Sequence, residues 1–366
     1  MKSWYTYIDN LNFLFWKRVT SATASSLESL AVYRLLTGFF LLWFNFNTFG
    51  WLKLTPQSFF SPPLISISIL FPHIPGGSFF IVIDILLLLC LIFITLGIKT
   101  KLSCLCYAVL YVFSASFQFS FGKIDHSIFI PVLMLVMAFS GWGKKLALLP
   151  EKTSETTTQK AYSLLAVLLC FGFFSAGFDK AFNWINFDLS QNGTGSWYYP
   201  GYYTLGRVYL LAPYFVHFPA WGFKIMDFTA VAFELSSVFF LLRGKTTWRF
   251  YLFIASVFHF TNLLILNIPF LNLAIYYLAF VDFSGVYLIL VKWWQSYLFK
   301  GVVFVIITIS VLARLYYIFA YQQRAFLMIE NGQYFNTLIV ALIIWPLFGI
   351  ILFTNFIRTK KSKLIN

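Results

Sequence analysis

The chain is a series of long apolar runs separated by short polar stretches. The runs fall at 30–51, 79–98, 102–119, 128–146, 161–178, 222–242, 250–266, 270–288, 302–319 and 335–356. Each holds about 17 to 22 residues, and at 1.5 Å per residue such a helix crosses a hydrocarbon core about 30 Å thick. The pattern predicts an all-α fold: a polytopic integral membrane helical bundle of about ten transmembrane helices, with no sizeable soluble domain. Asn267-Ile268-Pro269 predicts a tight turn joining the seventh and eighth helices. No internal repeat or low-complexity tract interrupts the series. Segment 1–26 carries Trp4, Tyr5, Tyr7, Phe13, Phe15, Trp16, Lys17 and Arg18, and reads as an amphipathic stretch on the inner surface. No cleavable signal peptide is expected there.

The polar connections set an orientation. One alternate set carries Lys99 and Lys101, then Lys144, Lys145 and Lys152, then Arg243, Lys245 and Arg249, then Lys292 and Lys300, with Arg358, Lys360, Lys361 and Lys363 in the tail. The other set is poorer: Lys53, Lys123, Arg324, and Lys180, Arg207 and Lys224 around its longest member. Excess Lys and Arg marks cytoplasmic loops, so both termini are expected in the cytoplasm. The longest connection, 179–221, then lies outside. It holds Trp184, Trp197, Tyr198, Tyr199, Tyr202 and Tyr203 and is expected to fold over the helix ends as an extracytoplasmic cap.

Composition strengthens the membrane reading. Of the 366 residues 60% are apolar and only 10% charged, too few to cover a soluble surface. The 47 Phe suit lipid-facing surfaces. A net charge of +14 would suggest nucleic acid in a soluble chain, but these cations sit in short loops and fit attraction to anionic membrane lipid; no nucleic acid is expected. Cys90, Cys104, Cys106 and Cys170 lie in apolar runs without metal or disulfide spacing, and read as free thiols.

Ionisable groups inside a bilayer cost about 2.5–3.5 kcal/mol each and need a reason. Placed by depth, Asp84, His126, Asp179, Lys180, Asp227, Glu234, His259, Asn262 and Arg314 all fall in the outer half. His259 lies about 15 Å along its helix from Arg249. The inner half holds mainly Arg34, close enough to an end to snorkel. Each group also has a plain reading. Lys180 and Arg314 can snorkel to headgroups, His126 can be a solvated loop residue, and His259, Asp84, Asp227 and Glu234 can join helices by hydrogen bonds.

Chemically, a Lys at the wet edge of an apolar pocket can serve as a base, and two His nearby can donate to a developing oxyanion. An aromatic cavity suits a flat, lipid-soluble substrate such as a quinone. The common hydrolase, metalloprotease and nucleotide motifs are absent, and no metal site is expected. A haem held between His126 and His259 is a further alternative.

Three stretches carry a resemblance: FGKIDHSIFIPVLMLVMAF with His126, CFGFFSAGFDKAFNWI with Lys180, and VFHFTNLLILNIPFLNLAIYYL with His259. Together they resemble the horizontally transferred transmembrane (HTTM) domain family, which includes the membrane domain of vitamin K-dependent gamma-glutamyl carboxylase. The likeness covers roughly 25–290. It implies a carboxylase-like transmembrane domain at 27–290, followed by two further transmembrane helices and a basic cytoplasmic tail at 291–366. It also implies that Lys180 is the catalytic base, with His126 and His259 serving the oxygen chemistry; Asp179, Trp184, Glu234 and Asn262 are candidate substrate-binding neighbours. The implied cofactor is a reduced quinone of the vitamin K or menaquinol type, with O2 and CO2 as possible co-substrates. The implied setting is a bacterial inner (plasma) membrane with the site facing outside, and the enzyme classes are carbon–carbon lyase or quinol-linked oxidoreductase.

The chain departs from the carboxylase in two ways. Asp179 stands where the carboxylase has a second Lys, and two hydrophobic spans stand where it has a long lumenal region. Peptide carboxylation is therefore open. A secreted peptide or protein remains a possible partner, and a non-catalytic maturation or export factor, or a transporter, remains the alternative.

Overall fold

The computed structural model of the chain describes residues 2–44, 46–121, 126–152, 155–321 and 333–365. Lys123 and Arg324, which enter the loop-charge comparison, lie outside the described residues. Helices dominate, and no strand occurs among the described residues. They are α1 (Lys2–Thr23), α2 (Leu27–Trp43), α3 (Gly77–Leu96), α4 (Thr100–Gln118), α5 (Phe129–Met137), α6 (Glu155–Trp184), α7 (Gly193–Tyr203), α8 (Ala220–Leu242), α9 (Lys245–Leu266), α10 (Leu271–Leu278), α11 (Ser284–Trp294), α12 (Tyr297–Tyr316) and α13 (Gln333–Ile365).

Among the described residues seven helices are long and apolar enough to cross a membrane: α3, α4, α6, α8, α9, α12 and α13. The pair α1 and α2, bent by 71° between them, makes an eighth if the two are one span. This is the architecture of an integral membrane protein. Two of the apolar runs take a different form. Run 128–146 holds the short α5, which gives way to irregular chain near Gly141, at φ 68°. Run 270–288 is split between α10 and α11 around Asp282. Most of α10 is buried inside the bundle, so its hydropathy reflects packing against protein rather than lipid.

Local chemistry fixes the helix ends. Ser26 accepts from the Ser29 N–H and caps α2, and Ser296 does the same for α12 through Phe299. Gly97 closes α3 at φ 72°, a conformation that favours glycine. The last turns of α1 bury Val19 and Ala22, while its earlier turns expose Trp4, Tyr7, Phe13 and Leu14.

At one end of the bundle a buried arginine ties the layers together. Arg34 is fully buried; its guanidinium donates to the carbonyls of Trp142 (2.9 Å), Lys145 (3.2 Å) and Leu146. Beside it Lys145 pairs with Glu28, whose hydrogen bond raises the Lys145 pKa. Leu148 and Leu149 bond back to the end of α3, and Asp282 accepts from Ser29 at 3.0 Å. The snorkelling expected of Arg34 does not occur. The chain after α5 folds over it and supplies carbonyl acceptors, so the guanidinium need not reach water. Arg314 is likewise buried rather than snorkelling. Its Nε donates to the Leu42 carbonyl near the end of α2, and its guanidinium lies 5.2 Å from the Phe46 ring centre.

At the opposite end carboxylates do the tying. Asp84 accepts from the N–H groups of Phe49 (2.8 Å) and Gly50 (2.9 Å), holding the 3-10 turn Gly50–Leu54 against α3. Asp227 accepts from the N–H groups of Gly193 (2.8 Å) and Thr194 (2.7 Å) and from the Thr194 hydroxyl (2.6 Å). These two are structural ties, as their helix-joining reading expects.

Candidate functional site

The site begins with a glycine. A Cβ on Gly177 of α6 would lie 2.8 Å from the Glu234 Cβ of α8, so only glycine lets these helices approach so closely. Three residues on, Lys180 faces the same way and pairs with Glu234. Glu234 is buried, whereas Lys180 is about a quarter exposed. The ammonium also lies 5.1 Å from the Trp184 ring centre, one turn further along α6. Trp184 in turn packs where Gly193 has no side chain; a Cβ there would fall 2.0 Å from the indole.

His259 of α9 sits in an aromatic cage. Its ring lies 4.8 Å from Phe270, 5.3 Å from Trp345, 5.9 Å from Tyr277 and 6.1 Å from Phe173. The Phe270 ring also lies 4.9 Å from His126, so it stands between the two histidines. Phe270 has φ 45°, unusual for a residue with a side chain. The turn that puts it there starts at Asn267, φ 53°, whose side chain both accepts from and donates to the Tyr209 backbone (2.9 and 3.0 Å). Trp345 locks the turn from α13 by donating to the Pro269 carbonyl at 2.7 Å.

Lys180, Glu234, His126, His259, Phe173 and Phe270 border one cavity of about 830 Å³, with Tyr277 and Trp345 packed against His259. Lys180, His126, His259, Asp179, Trp184, Glu234 and Asn262 all line it. The structure thus brings together every residue singled out for the site. They differ in setting: His259 and Glu234 are buried, while His126 and Asp179 are exposed at the rim. Four buried polar atoms here have no hydrogen-bond partner among the described residues: Nδ1 and Nε2 of His259, Oε2 of Glu234, and the hydroxyl of Tyr277. Buried polar groups are normally satisfied, so such a set needs an explanation. No grouping of three or more His, Cys, Asp or Glu that could hold a metal occurs among the described residues.

The 179–221 connection forms part of the wall through Thr194, Trp197 and Arg207. Asp227 fixes the start of α7, and Lys224 binds the preceding loop through the Trp184 carbonyl (3.2 Å), the Asn186 side chain (2.9 Å) and the Gln191 carbonyl. Asp188 in that loop is held below the usual aspartate range, chiefly by the Ser190 hydroxyl and amide. Tyr198 donates to the Ala212 carbonyl at 2.7 Å, and burial pushes its phenol up to about 12.

Sequence reasoning missed Tyr277, Trp345 and Arg207 as site residues. Tyr277 and Trp345 look like ordinary aromatics in apolar runs, and Trp345 lies beyond the stretch of family likeness. Arg207 reads as one more loop cation. No protein-family model matches the chain, and comparisons with curated proteins and with solved structures return no match.

Proposed function

We propose that the chain is a membrane enzyme of the HTTM type that acts on a reduced quinone of the vitamin K or menaquinol kind, with O2 and CO2 as candidate co-substrates. In this reading the bundle has about ten membrane-crossing or membrane-embedded segments, both termini are cytoplasmic, and the cavity faces the outside of a bacterial inner membrane. The carrying observation is the cavity itself: a Lys–Glu pair and a caged histidine with unsatisfied polar atoms, set among flat aromatic walls. A reduced quinone would fit this donor set: Phe173 and Phe270 offer aromatic faces, and Glu234 Oε2 and the His259 nitrogens, otherwise without partners among the described residues, would be the groups to hold its hydroxyls. Bound there, such a group supplies acidic hydroxyls and two electrons.

The protein's own residues then have distinct tasks. Glu234 holds the Lys180 side chain at the cavity wall. The Lys180 Nζ accepts a proton from a hydroxyl placed against it. His259 always offers at least one N–H, whichever nitrogen carries the proton, and so holds developing negative charge in a dry setting. Phe270 keeps His126 and His259 apart so that both address the cavity, with His126 at the wet rim. Trp184 and the α7 segment limit access of water.

Substituting Lys180→Ala is expected to lower turnover of a reduced quinone by roughly 10²–10⁴-fold, while the protein remains inserted and retains the quinone found by mass spectrometry of its lipid extract. Unchanged turnover in the Ala variant removes Lys180 as base, and a wild-type extract without quinone removes the cofactor class.

A further inference from the structure

Among the described residues Arg207 is the one arginine that borders the cavity. Its placement is built. Gly206, at φ 65°, turns the chain, and the Arg207 N–H donates to the Gly201 carbonyl at 3.0 Å. The aliphatic stem then lies over Gly201, where a Cβ would meet Cδ at 3.3 Å. Arg207 is half-buried as a residue, yet among the described residues no carboxylate lies within ion-pair distance and no group accepts a hydrogen bond from its side chain.

The nearby carboxylates are already engaged. Asp227 takes the α7 amides, Glu234 takes Lys180, Asp188 takes Ser190, and Asp179 takes Asn183 at 3.3 Å. None of these carboxylates takes the Arg207 guanidinium, and its planar donors are left for an acceptor from outside the chain.

The surroundings indicate which anion. Trp197, Tyr203, Tyr209 and Tyr214 of the same segment are exposed, Tyr203 by 67% and Tyr214 by 78%. Exposed Trp and Tyr in a membrane protein sit at headgroup depth, where the abundant anionic group is lipid phosphate. We infer that Arg207 holds the phosphate of an anionic phospholipid headgroup at the cavity mouth, and that the cavity is open to lipid there. This site is separate from the quinone reading and does not depend on it.

The test uses the full chain in detergent micelles, titrated with phosphatidylglycerol and followed by native mass spectrometry. Arg207→Gln is expected to weaken phosphatidylglycerol retention about tenfold or more. Lys53→Gln, which removes an exposed cation at the same end of the bundle, is expected to leave it unchanged. Arg207→Lys, which keeps the charge but loses the planar fork, is expected to fall between, and it serves in place of the Gln variant if that one does not fold. Equal retention in the Gln and Lys variants and the wild type overturns the proposal, as does equal loss in Lys53→Gln. Displacement of the lipid by millimolar inorganic phosphate reassigns the site to a free phosphate ion and overturns the lipid headgroup.

Discussion

The two ends of this bundle bury charge in opposite ways. At the Arg34 end the guanidinium meets three backbone carbonyls, Lys145 meets Glu28, and Asp282 meets Ser29. Each charge is answered by the chain itself. At the cavity end Lys180 and Glu234 answer each other, but Glu234 keeps one oxygen unpartnered and His259 keeps both nitrogens so. A satisfied buried polar group stabilises, whereas an unsatisfied one costs about 1–3 kcal/mol. Arg34 Nε is also without a partner among the described residues, but Arg34 is not among the residues that line the cavity, whereas Glu234 and His259 are, so their unpartnered atoms make sense if something in the cavity completes them.

The largest stability effect is expected at the first end. Arg34→Met keeps the approximate volume but leaves the carbonyls of Trp142, Lys145 and Leu146 without their donor. The expected loss is roughly 3 kcal/mol, read as a lowered thermal midpoint in detergent. A midpoint equal to wild type breaks the comparison, because the carbonyls then find other partners.

Asp227→Ala ranks next. It removes three hydrogen bonds that start α7, and a lost helix cap typically costs about 1–2 kcal/mol. The loss is local, so faster amide exchange is expected through α7 while α3 and α4 keep their protection. Uniform loss of protection across the molecule would show that Asp227 supports the whole bundle rather than the cap.

How far this contrast was legible in the sequence depends on the residue. Lys180, His259 and Glu234 stood out because charge in an apolar run is costly, and all three meet at one cavity. Arg34 stood out for the same reason, but its fate did not. Snorkelling and burial under a loop give the same hydropathy, and only the folded chain after Met137 distinguishes them. The same limit applies to runs 128–146 and 270–288, because hydropathy measures dislike of water and does not say whether lipid or protein replaces it. Trp345 was illegible for another reason. Its contact with His259 joins residues 86 positions apart in two different apolar runs, with no local pattern to announce it.

His259→Phe sharpens the comparison with a smaller effect of opposite sign. The imidazole has aromatic neighbours on several sides and no hydrogen-bond partner among the described residues. Replacing it by a ring of similar shape removes two unsatisfied atoms, which can be nearly neutral or stabilising. The expected change is between zero and a gain of about 1 kcal/mol, together with loss of quinone turnover. A clear loss of stability would mean that His259 belongs with Arg34 among the groups that hold the bundle together.

The smallest effect concerns the loop before α7. Asp188 accepts from the Ser190 hydroxyl at 2.6 Å and from its amide at 2.9 Å, and these bonds hold its pKa below the ordinary value of 3.8. A depressed folded-state pKa contributes stability that is present above the unfolded value and lost as pH falls through the folded one. The contribution is therefore intact at neutral pH and disappears only in strong acid, below 3.8. Ser190→Ala removes the hydroxyl donor and keeps the amide, so part of the depression remains. Titrating the Asp188 carboxyl by NMR should show its pKa moving up toward the ordinary value in this variant, with the thermal midpoint at pH 7 barely changed. Because Asp188 is fully exposed, solvent already screens its charge. A large midpoint shift at pH 7 would mean that the loop bears on the anchoring of α7 through Lys224 and the Gln191 carbonyl, and the cap end would then hold a self-satisfied charge network like the one around Arg34.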